Sequence, residues 1–221
     1  MLSVLIPVYN EADILEKNIN RLDKFLKSLG IRYEILVCNN GSIDNTNKIG
    51  NSISSIRFFS MSEKGVGRAF KLMFEKARYD KLVSVDIDLS TDIRFIKKAC
   101  NLLDEYDIVI GSKIAGEQNR TLDRILISKT YIRLVQLLLG FSFSDYSIGA
   151  KAFRKSKIKL PSKISSGSMY VLEILMKNKT CSMKEIPVFC NDRRKSKFSL
   201  SREIFHRFTG LLKLWWKVRK I

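Results

Sequence analysis

Lys81-Leu82-Val83-Ser84-Val85-Asp86-Ile87-Asp88-Leu89-Ser90 is the stretch on which the fold turns. Lys81–Val85 is an apolar, β-branched run short enough for one buried strand, and it ends abruptly in two acids one residue apart. The same grammar recurs on both sides of it. Ser3–Val8 runs into Tyr9-Asn10-Glu11, Glu34–Cys38 into Asn39-Asn40-Gly41-Ser42, and Asp107–Ile110 into Gly111-Ser112-Lys113. Ile56–Met61 reads as a further strand. Between the strands lie helical periods. Asp13–Leu29 places Ile14, Leu15, Ile19, Leu22, Phe25, Leu26 and Leu29 on one face, while Gly67–Arg78 and Ile93–Tyr106 are shorter versions. Alternating strand and helix predicts an α/β fold with a mostly parallel sheet flanked by helices. In such a sheet ligands sit beyond the carboxyl ends of the strands, so all four polar clusters meet at one edge.

The remainder of the chain reads differently. Arg120–Gly140 is basic and then apolar, with Ile125, Leu126, Ile132, Val135, Leu138 and Leu139 on its apolar side. Ser165–Lys177 reads as a helix, Lys184–Cys190 as a strand and Leu200–Lys220 as a last helix. The expected organisation is one domain over 1–199 and a basic amphipathic C-terminal helix over 200–221.

Composition narrows the function. The chain has 221 residues, 45% hydrophobic and 28% charged, with 3 Pro and 11 Gly, which fits a globular domain able to bury its own core. The single histidine, His206, excludes a multi-histidine zinc site. Cys38, Cys100, Cys181 and Cys190 have no CxxC spacing, so a reducing compartment without a disulfide framework is expected. The first residues turn polar too soon for a signal peptide, and no apolar run is long enough to span a bilayer. Lys and Arg number 40 against 22 acids, a net charge of +18. Ten of the cations and one acid, Glu203, fall in 193–221, so half of that excess sits at the C-terminal end. An anionic surface or substrate is implied. A nucleic-acid ligand is not expected, because the strand ends are acidic and no nucleic-acid-binding signature is present.

Asp86 and Asp88 are two hard oxygen donors on a turn, suited to Mg²⁺ or Mn²⁺ that also bridges substrate phosphates. Asp in such a turn also serves simply as a helix cap. Asn39–Thr46 is either a capped strand-to-helix turn or a polar cradle for a base and ribose. Lys64-Gly65-Val66-Gly67 is a weak phosphate-loop signal, and the absence of GxxxxGK[ST] excludes a P-loop NTPase.

Seven segments in order carry a resemblance: VLIPVYNEA (Val4–Ala12), CNNGSIDNT (Cys38–Thr46), KGVGRA (Lys64–Ala69), SVDIDLS (Ser84–Ser90), IGSK (Ile110–Lys113), DYSIGAKAF (Asp145–Phe153) and RRKSKFS (Arg193–Ser199). Together they resemble the family-2 glycosyltransferases of GT-A fold, in the branch of dolichyl-phosphate mannose synthase-like enzymes. The resemblance implies a GT-A, Rossmann-like sheet and an inverting transfer of a hexose from a GDP- or UDP-sugar to a polyprenyl phosphate. It implies that Pro7, Tyr9, Glu11, Asn39, Lys64 and Asp86 bind the nucleotide, and that Asp86, Asp88 and Ser90 hold Mg²⁺ or Mn²⁺. Lys113, Arg124, Ser128, Arg193, Arg194 and Lys197 then clamp phosphates, and Asp145 acts as base or as orienter of cationic side chains. The chain departs from the family pattern in several places. Asn39 and Asn40 replace two acids, Lys113 and Lys151 replace Arg, Ser90 replaces Gln, Ile148 replaces Ser, and a Gly is missing before Ser196-Lys197.

The last helix points to a lipid acceptor independently. Ile204, Phe205, Phe208, Leu211, Leu212, Trp215 and Trp216 form an apolar stripe opposite His206, Lys213, Lys217 and Lys220. Trp with Lys and Arg on an amphipathic helix marks a membrane interface; a helix docked on the core or in a dimer interface is the plainer reading. The expected location is peripheral, on the cytoplasmic face of a membrane. Rival functions are a transferase acting on a saccharide hydroxyl, with Asp145 as its base, and a nucleotide-sugar-binding relative of weak activity.

Overall fold

A computed structural model describes residues 1–113, 115, 122–146, 149–165, 167, 169–191 and 200–219, without the side chains of 122–124, 200–206, 217 and 218. The elements are β1 (Leu2–Val8), α1 (Leu15–Ser28), β2 (Tyr33–Asn40), α2 (Thr46–Ser52), β3 (Arg57–Met61), α3 (Val66–Lys76), β4 (Lys81–Ser84), α4 (Arg94–Leu102), β5 (Ile108–Ser112), α5 (Leu122–Leu139), β6 (Lys151–Arg154), α6 (Tyr170–Lys177), β7 (Met183–Pro187) and α7 (Leu200–Arg219). A short 3₁₀ turn, Lys155–Lys157, follows β6.

The strands form one sheet in the order β3-β2-β1-β4-β6-β5-β7. Only β6 runs against the rest, pairing antiparallel with both β4 and β5. Pleating splits each strand between two cores. Val4, Ile6 and Val8 join Leu15, Ile19, Leu22 and Leu26 of α1 and Phe95, Ile96 and Ala99 of α4 on one face. Leu5, Leu36, Leu82 and Ile110 join α3, α5, α6 and α7 on the other. The unbroken apolar run of β1 is therefore the mark of a strand covered twice. Each of the four buried α1 side chains contributes roughly 1.5–3 kcal/mol of burial free energy.

Several expectations are corrected. The antiparallel β6 was not anticipated: Lys151-Ala152-Phe153-Arg154 is only four residues long and has a cation at each end, which masks its strand character. Yet Lys151 is 2% exposed. The helix expected from Ser165 starts at Tyr170, and the strand expected over Lys184–Cys190 lies at Met183–Pro187. Cys190 instead makes a single antiparallel bridge to Thr91. In α5, Leu126 is exposed although the periodicity put it inside. The C-terminal stripe is divided rather than uniform. Leu211 is buried, Phe208 meets Tyr131 of α5 edge-on at 5.8 Å between ring centres, and Trp215 packs against the core. Leu212 and Trp216 face solvent. Helix α7 is thus docked through Phe208, Leu211 and Trp215, while Leu212 and Trp216 are exposed among the described residues. No described helix is long and apolar enough to cross a membrane.

Candidate active site

The loops after β1 and β2 are laced together. Asn10 N donates to Ser42 Oγ at 2.8 Å, Glu11 N to Thr46 Oγ1 at 2.8 Å, Ala12 N to Asp44 Oδ2 at 3.2 Å, and Ile43 N to Asn10 Oδ1 at 2.9 Å. Asn10 can serve this joint because Asn tolerates its left-handed backbone, φ 54°. Gly41, with φ +74°, turns the chain where a side chain would run into the Lys64 backbone. Ser42, Asp44 and Thr46 therefore spend their oxygens on holding two loops in register.

Five of the six expected nucleotide residues, Pro7, Tyr9, Glu11, Asn39 and Lys64, lie at or beside this joint. Pro7 pairs with Cys38, Val8 with Asn39, and Tyr9 follows at the strand end. Lys64 Nζ lies 3.7 Å from the centre of the Tyr9 ring, within cation–π range. Asn39 is 3% exposed; its Nδ2 donates to Ser60 Oγ at 3.1 Å and its Oδ1 accepts from Ser42 N at 3.0 Å. Asn40 Oδ1 accepts from Gly65 N, tying β2 to the start of α3. The amides that replace acids here are thus built into the loops.

The second half of the site forms around the β4 end. Asp88 Oδ1 accepts from Ser90 N at 3.0 Å, and Leu89 N donates to Asp86 O at 3.1 Å. Leu89 takes φ 50°, a costly conformation for a γ-branched residue that is typical of functional turns. Asn18 of α1 steadies the turn through Ile87 O at 2.9 Å. On the far side, Ser90 O accepts from Asn191 N at 2.8 Å and Phe189 O accepts from Asp92 N at 3.1 Å, so the acidic turn is clasped to the segment after β7.

Gly149 is the floor under Asp86. A Cβ there would land on the Asp86 carboxylate, and the glycine backbone hydrogen-bonds that carboxylate. Asp86 is open to solvent from the cleft but surrounded by protein on its other sides. That burial, then the neighbouring Asp88 charge, raise its carboxyl above the usual range, against the pull of Lys151 and Lys113. Lys113 Nζ stands 3.2 Å from Asp145 Oδ2, and both side chains are buried. Burial pulls the Lys151 ammonium down to about 8, with Asp145 and Asp86 opposing the shift. Asp86, Asp145, Lys113 and Lys151 thus form one charge cluster beside the acidic turn, buried except where the Asp86 carboxyl opens to the cleft.

Among the described residues, no three His, Cys, Asp or Glu side chains converge as a metal cage. Asp86 and Asp88 alone fit a divalent cation that takes its other ligands from water and substrate phosphates. Ser90 belongs to the same turn. Ser128 lies midway along α5. The Arg124 side chain and all of Arg193, Arg194 and Lys197 fall outside the described residues. Three participants were missed as site residues. Gly149 leaves no periodic signal, and Tyr170 looks like ordinary core, although it is close enough to Asp86 for that charge to act on its phenol. Lys151 carried one signal, a lone cation within an apolar run.

Residues 3–160 match the family described as Glycosyl transferase family 2. The chain belongs to that family. The glycosyltransferase AglD of Haloferax volcanii is 28% identical over 98% of this chain and 37% of its own length. The dolichol-phosphate mannosyltransferase of Pyrococcus furiosus is 30% identical over 96% of this chain and 63% of its own. The chain therefore spans between about a third and two thirds of these relatives. Its fold matches the crystal structure of glucosyl-3-phosphoglycerate synthase from Mycobacterium tuberculosis in complex with Mn²⁺ and UDP-glucose, with TM-score 0.72, 15% identity, 96% of this chain and 78% of that one. The expected α/β architecture and family are confirmed.

Proposed function

We propose that this glycosyltransferase moves a hexose from a nucleoside diphosphate sugar, GDP-mannose or UDP-glucose in type, to a polyprenyl phosphate, acting peripherally on the cytoplasmic face of a membrane. One observation carries the choice of acceptor: Asp145, the acid best placed to serve as a base, is 1% exposed and paired with Lys113. A sugar hydroxyl would need its proton removed. A phosphate oxygen is already anionic near neutral pH and needs no base. The adjacent Lys113 and Lys151 supply the positive charge that a phosphate acceptor requires. The similarity to the Pyrococcus dolichol-phosphate mannosyltransferase and the exposed Leu212 and Trp216 of α7 support the same reading.

In this mechanism Tyr9, Glu11, Asn39 and Lys64 hold the base and ribose in the laced pair of loops. Asp86 and Asp88, with Ser90 beside them, hold Mg²⁺ or Mn²⁺ against the donor diphosphate. When bound, the cation offsets the charge that builds on the leaving diphosphate. Asp145 orients Lys113, which, with Arg124, Ser128, Arg193 and Lys197, directs the acceptor phosphate at the sugar. The acceptor oxygen forms the new bond to the anomeric carbon as the bond to the diphosphate breaks, and no proton is transferred. Catalysis then rests on positioning and electrostatics.

The test is incubation with labelled GDP- and UDP-sugars, Mn²⁺ and a polyprenyl phosphate, followed by organic extraction, for the wild type and Asp145→Asn. Extractable label is expected, with Asp145→Asn slower by about tenfold to a hundredfold. Label passing only to a saccharide, and complete loss of turnover in Asp145→Asn, would establish the hydroxyl-acceptor reading instead.

A further inference from the structure

Glu185 stands on the edge strand β7, opposite Ile110 of β5, and is partly buried. One of its oxygens, Oε1, accepts three hydrogen bonds from two consecutive residues. Ser144 N donates at 2.8 Å, Ser144 Oγ at 2.9 Å and Asp145 N at 3.1 Å. Ser144 Oγ also lies 2.6 Å from Ser112 Oγ at the end of β5. Because the Ser144 hydroxyl hydrogen points to the carboxylate, Ser112 is the donor in that contact. Ser112 Oγ in turn accepts from Ala115 N at 3.0 Å. A chain of donors thus runs from the backbone after β5, through two serines, to one carboxylate. That carboxylate carries the segment that ends in Asp145, and Asp145 carries Lys113.

We infer that Glu185 is the positioning residue for the Ser144–Asp145 segment, setting the place of Asp145 and through it the aim of Lys113. The inference rests on the reading above that Asp145 orients Lys113. Among the described residues Glu185 makes no hydrogen bond to the acidic turn or to the laced loops, so its effect falls on the acceptor side more than on the donor side. A charged acceptor strengthens each of the three bonds, and its removal leaves two backbone N–H groups and a hydroxyl without their partner in a partly buried place. A glutamine keeps one side-chain oxygen with two lone pairs and can accept two of the three.

The experiment compares the wild type, Glu185→Ala and Glu185→Gln by amide hydrogen exchange and by steady-state kinetics with UDP-glucose or GDP-mannose, Mn²⁺ and polyprenyl phosphate. In Glu185→Ala the amides of Ser144 and Asp145 should exchange about tenfold faster or more, while those of β1, β2 and β4 keep their protection. Its kcat should fall about tenfold, with KM for the donor within about twofold of wild type. Glu185→Gln should recover most of the protection and most of kcat. Unchanged exchange at Ser144 and Asp145 would overturn the inference. So would a loss of protection across the whole sheet that Glu185→Gln shares, since that is plain structural damage. A wild-type chain inactive on polyprenyl phosphate, with the exchange pattern as expected, would strike the function proposed above and leave the role of Glu185 standing.

Discussion

Gly149 shows how much one missing carbon decides. The Asp86 carboxylate occupies the volume that a Cβ would take, so the backbone leading into β6 can approach the acidic turn only at a glycine. Gly149→Ala should displace the carboxylate while leaving both cores untouched. Mn²⁺-dependent binding of UDP-glucose, followed by calorimetry, is expected to weaken by tenfold or more, on the order of 1.4 kcal/mol, with the far-UV spectrum unchanged. Full retention of binding would mean that the carboxylate moves without consequence. The sequence made Asp86 and Asp88 visible because two acids at the end of an apolar run have few structural uses. Gly149 and Lys151 lie in the DYSIGAKAF segment, but nothing in their local pattern shows that they face Asp86. Their significance lies in what stands across the sheet from them, and strand pairing between β4 and β6 is non-local information.

At the scale of elements, the parallel strands were legible because each is covered on two faces and so reads as an unbroken apolar run. Strand β6 was hidden by its length and its terminal cations. The expected start of α6 at Ser165 is corrected to Tyr170: Ser165 lies before the helix, with its N and Oγ held by Glu173 at 2.8 and 2.7 Å. Helix α7 is the instructive case. Its apolar stripe reads as one surface in the sequence, yet packing divides it between Leu211, which is 1% exposed, and Trp216, which is 59% exposed. The two sides should respond differently. Leu211→Ala should cost roughly 2–5 kcal/mol of stability by opening a cavity, read by denaturant unfolding. Leu212→Ser with Trp216→Ser should leave stability within about 0.5 kcal/mol and reduce partition onto anionic liposomes. Equal partition of wild type and double variant would assign the open side to something other than lipid.

For the molecule as a whole, the charge cluster around Asp86 ties stability to pH. The folded protein raises the Asp86 carboxyl above its unfolded value, first through burial and then through Asp88. By linkage, that group favours the ligand-free fold at low pH, and this contribution fades as pH rises through the raised value. A divalent cation binds the ionised form and acts in the opposite sense. The rise in Tm produced by Mn²⁺ should therefore be largest near pH 7 and shrink on acidification, beginning above the range of an ordinary aspartate. A pH-independent rise would place the cation elsewhere.

The clasp between Ser90–Asp92 and Phe189–Asn191 has its own implication for this architecture. The segment beyond β4, which carries the acids, and the segment beyond β7 are stitched together, so each fixes the course of the other. Moving either segment breaks hydrogen bonds to the other.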